Sequence, residues 1–275
     1  MERPEHFHEI EWNNEFRQSQ KDAALENIRS SCGRKLETLT KMQAPHGMKM
    51  VLVGSGPSAA KHVETIRELS RTDGYCVMSV NESHDWLVDN EIEPWGAVYI
   101  EIGEWDIPMF DKFSPGVTFF LASQCHPSVF DQVSDRRIVL WHALQGIGED
   151  KVIADCQGGG DLIAGGVTPA MRGIHLGIVM GFMDFELFGM DSSYETNSHA
   201  SRENEREDWK DEPTIEVWCL GKMFKTKPYL ARQAEDFGKV CRLFGNLIAF
   251  RVHGDGLLPH IHRTFYPQYY QEKAA

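Results

Sequence analysis

An α/β fold, with a mostly parallel sheet covered by helices on both faces, follows from three features of this 275-residue chain. From residue 48 onward, short β-rich runs alternate with helical ones, the rhythm of βαβ units. Several of those runs lack polar alternation, as strands buried on both faces do. Glycine-rich turns open two of the helices, and in such sheets ligands sit beyond the carboxyl ends of the strands.

In chain order, residues 10–43 carry no strong strand signal and predict one or two polar helices. Ile10, Leu25, Ile28, Leu36 and Leu39 form their expected buried stripe, and Pro45, His46 and Gly47 end the pattern. Residues 1–47 are therefore expected as a helical appendage packed on a main domain of residues 48–255. Within that domain strands are predicted at 50–53, 76–80, 97–102, 117–122, 138–141, 185–188 and 247–252. Helices are predicted at 58–70, 82–90, 127–133 and 168–180. Residues 192–215 are polar, charged and nearly free of aliphatics. They are too long for a simple connection and read as a lid insertion or a disordered loop. Residues 216–244 return to helical character, with Tyr229, Ala231, Ala234, Phe237, Val240, Cys241 and Phe244 as a buried face, and 256–275 form a C-terminal tail. No internal repeat or low-complexity tract is evident.

Composition bounds the function. With 41% hydrophobic and 25% charged residues the chain has the proportions of a globular protein able to bury a core. The 28 basic against 41 acidic side chains leave a net charge of −13, which argues against nucleic acid as the main partner. A local basic pocket for one phosphate stays compatible with that balance. The N-terminus reads as no secretory signal, and no apolar run approaches the roughly 18 residues of a membrane span. Cys32, Cys76, Cys125, Cys156, Cys219 and Cys241 are scattered without CxxC spacing, the pattern of reduced cysteines in a cytoplasmic protein. No membrane partner is expected, and a homo-oligomer is left open.

Four strand-end signals carry the chemistry. The run VLVGSGPS leads from a strand into Gly54, Ser55, Gly56, Pro57 and Ser58 and then a helix. Its glycines allow close backbone approach, and Ser58 suits an N-cap that presents free N–H groups to an anion. It matches neither GxGxxG nor a P-loop, and a plain tight turn is the alternative. Asn81 ends the second strand with a carboxamide that can both donate and accept, as a base edge or ribose hydroxyl requires; a turn or cap is its ordinary role. The cluster GGGDLIAGGVTPAMR (158–172) opens a second helix near Thr168, with Pro169 at a favourable first position, and gives Gly165 and Gly166 as a second anion-accepting turn. Finally, FELFGMDSSYE ends a strand at Gly189 and Asp191, with Tyr194 and His199 just beyond. His126 lines the cleft or occupies a turn, with the turn favoured. His260 and His262 lack a third ligand, so no metal site is expected there.

With those signals in order, VLVGSGPS (51–58), VNES (80–83), ASQCHPSVF (122–130), GGVTPAMRGIHLGIVMGF (165–182), ELFGMDSSY (186–194) and SHA (198–200) resemble the MptE-like group. That group joins archaeal hydroxymethylpterin diphosphokinases to the central domain of Maf flagellin glycosyltransferases, and is similar in fold to bacterial sialyltransferases that use CMP-activated sugars. The resemblance implies a Rossmann-like nucleotide-binding domain. It implies that Gly54, Ser55, Gly56, Pro57 and Ser58 hold nucleotide phosphate or ribose and that Asn81 contacts nucleotide or donor. Gly165, Gly166 and Thr168 take the other side of the nucleotide, Asp191 and Tyr194 border it, and His199 is the general base.

The group spans two chemistries. Diphosphokinases transfer pyrophosphate from ATP with Mg²⁺ and carry an Asp-rich segment after the third strand. Here that position reads VYIEIGEWD, where Glu101, Glu104 and Asp106 could hold a metal but the paired-Asp pattern is missing. The segment after the fourth strand, LASQCHPSV, looks like the Maf version. Glycosyl transfer from a nucleotide-activated sugar, with no required cofactor, is therefore favoured. The diphosphokinase with Mg²⁺ and a non-catalytic nucleotide-binding partner protein are the rivals, and the acceptor is unnamed.

Overall fold

The computed structural model describes residues 18–39, 42–104, 110–112, 114–166, 168–194 and 214–270. Helix α1 (Gln18–Gly33) precedes a two-residue strand β1 (Glu37–Thr38), then β2 (Lys49–Val53), the short α2 (Ser58–Lys61) and α3 (Val63–Ser70). Next come β3 (Tyr75–Val80), α4 (Ser83–Asp89), β4 (Gly96–Tyr99), β5 (Thr118–Ala122), α5 (Pro127–Gln132) and β6 (Arg137–Ala143). They are followed by α6 (Glu149–Gln157), β7 (Leu162–Ile163), α7 (Pro169–Val179) and β8 (Asp184–Phe188). The chain then forms β9 (Ile215–Cys219), β10 (Lys222–Thr226), α8 (Pro228–Phe244), β11 (Ala249–Val252) and α9 (Leu257–Phe265).

Nine strands form one sheet in the order β1-β6-β5-β4-β3-β2-β8-β11, with β7 also paired to β6. Every pairing in it is parallel, so the α/β, Rossmann-like expectation holds. Alternate residues of the central strands are apolar to both sides, which is why polar alternation is absent from the sequence. Met50 and Leu52 join the core beneath α7, while Val51 and Val53 pack with Ala59, Ile66 and Leu87 on the opposite face. Helix α7 lies close to the sheet because Gly177 leaves room: a Cβ there would sit 2.8 Å from the ring of Phe185.

From β2 the strands proceed to β6 on one side. The chain then crosses through α7, which packs on β2, β3 and β4, to place β8, and later β11, on the other side. The strand order therefore reverses between β2 and β8, and the crevice above their carboxyl ends is where a doubly wound sheet admits a ligand.

Three segments differ from expectation. The segment expected as a helical appendage also contributes β1, which pairs with β6 at the sheet edge, while α1 packs on α6. Ile28 is buried there and Ile10 lies outside the described residues. Residues 215–226, read as the start of a helix, form an antiparallel hairpin instead. The expected tail contains α9, whose Leu257 and Leu258 are buried in the main core.

Two buried histidines are held neutral. Burial pushes the imidazole of His142, on β6, down to about 4. Burial, aided by Arg263, does the same to His262 on α9. Each folded-state pKa lies below the unfolded value near 6.5, so the unfolded chain takes up protons first as pH falls. Stability is full above pH ~6.5 and is lost as pH drops toward 4, by roughly 2–3 kcal/mol per histidine. Urea unfolding at pH 7.5 and pH 5 will show the loss; equal stabilities at the two values contradict the burial of these rings.

Candidate functional site

The loop after β2 extends the β2–β8 pairing beyond the strand ends. Gly54 N donates to Phe188 O at 2.9 Å and Gly56 N to Gly189 O at 2.9 Å. Ser58 N, in the first turn of α2, donates to Asp191 Oδ2 at 3.0 Å. The cap of α2 is thus the Asp191 carboxylate, not the Ser58 side chain, whose buried Oγ has no hydrogen-bond partner among the described residues. Contact with β8 explains the glycines: a Cβ on Gly56 would lie 2.4 Å from Asp191 Oδ2 and 2.5 Å from Gly189 O. The loop after β11 closes the third side, since a Cβ on Gly254 would lie 2.5 Å from Ser58 Oγ. Asp191, 4% exposed, sits where these loops meet.

The N-terminus of α2, expected as an anion acceptor, already faces a carboxylate of the protein, and that expectation is corrected.

Helix α7 starts where the sequence predicts. Thr168 caps α7, its Oγ1 accepting from Met171 N at 3.3 Å, with Pro169 at the first helical position. Thr168 Oγ1 also donates to Gln233 Oε1 at 2.5 Å, and Gln233 Nε2 donates to Ser192 Oγ at 2.8 Å. Ser192 has a φ of 52°, uncommon for serine, and its carbonyl accepts from Thr226 Oγ1 at 2.7 Å. The GMDSS segment thus contacts both glycine turns, Asp191 at one and Ser192, through Gln233 of α8, at the other. Both turns lie on the carboxyl edge of the sheet.

Asn81 ends β3 with a φ of 47°. Its Nδ2 donates to Glu101 Oε1 at 2.9 Å, so the sequence's two separate candidates meet. His126 occupies its turn role: its Nδ1 accepts from Ser128 N at 3.3 Å as the cap of α5, and its own N–H reaches Glu101 O. Glu104 is exposed. Tyr194 bridges to Lys225, and its hydroxyl lies 3.5 Å from that of Tyr229. His199, Asp106 and the acidic run 203–212 lie outside the described residues. Among the described residues no three metal-ligating side chains cluster, and Asn81 Nδ2 donates to Glu101 Oε1. The described cysteines are free, and no described helix is long and apolar enough to cross a membrane.

Sequence reasoning missed the polar groups behind the second turn. Arg172, in the first turn of α7, is 8% exposed. Its Nη1 donates to Ile163 O at 3.1 Å and its Nη2 to Gln145 Oε1 at 3.4 Å, both neutral acceptors. Desolvation lowers its pKa to about 10, with Glu149 acting in the opposite direction. Burial resists ionisation of Glu149, but the N–H groups of Gln145, Gly146 and Ile147 outweigh it and hold the carboxyl below its usual range. A second missed constellation joins Asp85, His84 and Ser114 at 2.6 and 2.7 Å. Ser114 is 2% exposed, and the set fastens the loop before β5 to α4. Outside the sheet edge, a shallow depression of about 590 Å³ opens between α7 and α8 beside Gly165 and Gly166, over Met171 and Val240.

The sequence profile described as 6-hydroxymethylpterin diphosphokinase MptE-like matches residues 22–197, more than half of the chain. The chain belongs to the MptE-like family. The fold of this MptE-like chain is similar to the Maf glycosyltransferase from Magnetospirillum magneticum AMB-1, with a TM-score of 0.65 and 16% identity over 86% of this chain and 37% of that one. The chain thus spans little more than a third of that protein's length. It also aligns with a mammalian sialyltransferase at a TM-score of 0.42 and 10% identity, covering 89% of this chain and 88% of that one. Among proteins of curated function, none matches the sequence.

Replacing Gly56 with Ala drives a Cβ into backbone and carboxylate, and should lower the unfolding free energy by about 1–3 kcal/mol. Gly47→Ala, with open space around it, should change it by less than about 0.5 kcal/mol. Urea unfolding of the two variants checks this; equal effects would contradict the β2–β8 contact.

Proposed function

We propose that this MptE-like chain is a nucleotide-dependent transferase that moves a glycosyl group from a CMP-type activated sugar to an acceptor. The observation that carries the reading is the convergence of both glycine turns on one short segment at the carboxyl edge of a parallel sheet, Asp191 at the first and Ser192 through Gln233 at the second. Family membership and the fold likeness to a Maf glycosyltransferase support it.

In this reading Asp191 and Asn81 present acceptors and donors to ribose and base, and the turn before α7 takes the phosphate. The bond from the anomeric carbon to the phosphate oxygen breaks with its electron pair leaving on phosphate. The acceptor oxygen bonds to the anomeric carbon, and its proton passes to His199, whose role rests on its position in the motif. The diphosphokinase reading is favoured by the family's own description. It would move a pyrophosphoryl group from ATP to a hydroxymethylpterin-like alcohol, with Mg²⁺ supplying charge neutralisation.

A thermal-shift panel of CMP, CDP, UDP, GDP and ATP, each with and without Mg²⁺, separates the two. Stabilisation by CMP without metal is expected. A response to ATP–Mg²⁺ alone would establish the kinase reading, and no response to any nucleotide would favour a binding or assembly protein. His199→Ala should slow CMP release from a CMP-activated sugar by about 10²–10⁴-fold and leave CMP binding intact; unchanged turnover removes His199 from the reaction.

A further inference from the structure

Asp191 faces the first glycine turn. The turn before α7 has Arg172 against Gly165 and, beside Gly166, the Asp236 carboxylate, 3.3 Å from where a Cβ would lie and itself paired with Arg232 and Lys239. Arg172 is more than nine-tenths buried, and among the described residues it forms no ion pair. Its two hydrogen bonds go to a carbonyl and an amide oxygen, and its Nε–H has no acceptor among the described residues. The carboxylate that acts on it through space, Glu149, is committed to three backbone N–H groups. The loop is built against the guanidinium: a Cβ on Gly165 would lie 2.6 Å from Arg172 Cδ and 3.4 Å from its Nε. The N–H groups of Gly165 and Gly166 also donate to nothing among the described residues. A buried guanidinium with neutral hydrogen-bond partners, beside two backbone N–H groups, is a donor set suited to a phosphate oxygen.

We propose that Arg172 is the cation of a phosphate site at the second glycine turn, where it receives the phosphoryl group of the donor nucleotide. The existence of the anion site stands on the geometry alone; the identity of its ligand as a nucleotide rests on the transferase reading above. Arg172 thereby directs the nucleotide, with ribose toward Asp191 and phosphate toward α7.

Calorimetric titration of inorganic pyrophosphate and of CMP into wild type, Arg172→Gln and Arg172→Lys tests this. Wild type should bind both, and Arg172→Gln should bind each at least ~10-fold more weakly. Arg172→Lys should fall between, because an ammonium keeps the charge without the planar fork. Should glutamine at 172 prevent folding, the wild-type protein still decides. The Arg172 Nε–H resonance, assigned by its absence in Arg172→Lys, must shift when pyrophosphate is added. An unmoved resonance at saturation overturns the proposal, as does binding by Arg172→Gln within about twofold of wild type, or no binding of either anion by wild type. CMP bound equally by wild type and Arg172→Gln would overturn Arg172 and leave the transferase reading standing. Pyrophosphate binding that needs Arg172, with no response to any nucleotide, would do the reverse.

Discussion

The hydrogen bond from Ser58 N to Asp191 Oδ2 fixes the geometry of the whole sheet edge. It is charge-assisted and lies in a nearly dry place, where such bonds are strong and their loss is costly. Around it the loops after β2, β8 and β11 come so close that glycine is required at 54, 56, 189 and 254. Each loop would be free to move alone. Together they are held because any displacement exposes or strands the Asp191 carboxylate. The residue after Asp191 inherits this rigidity: Ser192, in its strained left-handed conformation, is gripped by Thr226 and Gln233, and Gln233 in turn holds the cap of α7.

Much of this architecture is legible in the residues. Runs such as 50–53, 76–80 and 185–188 declare themselves as doubly covered strands because both side-chain rows are apolar, and the burial of Met50, Val51, Leu52 and Val53 bears this out. The Thr168–Pro169 helix start is equally plain, because capping is a local property. The hairpin of β9 and β10 is hidden because its turn is Leu220–Gly221, with φ of 50° and 80°, where Asn-Gly would have announced it. β1 and β7 are two residues each and exist only through pairing with β6, which no local pattern can reveal.

The candidate site is legible in its positions and less so in its roles. Gly54 and Gly56 stand out as a strand-to-helix turn, yet whether they make room for a ligand or for a neighbouring loop depends on what lies opposite, and opposite lies Gly189. Asn81 and Glu101 are separate candidates in the sequence because twenty residues divide them; the parallel pairing of β3 with β4 brings their side chains together. Arg172 lies within the GGVTPAMR run, yet nothing in that run marks it as functional. Its significance comes from burial and from the neutrality of its partners, both properties of the folded chain.

The net charge of −13 does not conflict with a phosphate bound at that corner. Exposed carboxylates act through water and salt, which screen them beyond about 8–10 Å. A buried guanidinium acts through protein, where the same separation is worth several times more, and fixed N–H dipoles need no reorganisation to help it. Local geometry therefore outweighs the global balance. An acidic surface also repels polyanions, so on the phosphate-site proposal the overall charge and the buried cation would favour the same kind of ligand, a single small phosphate ester.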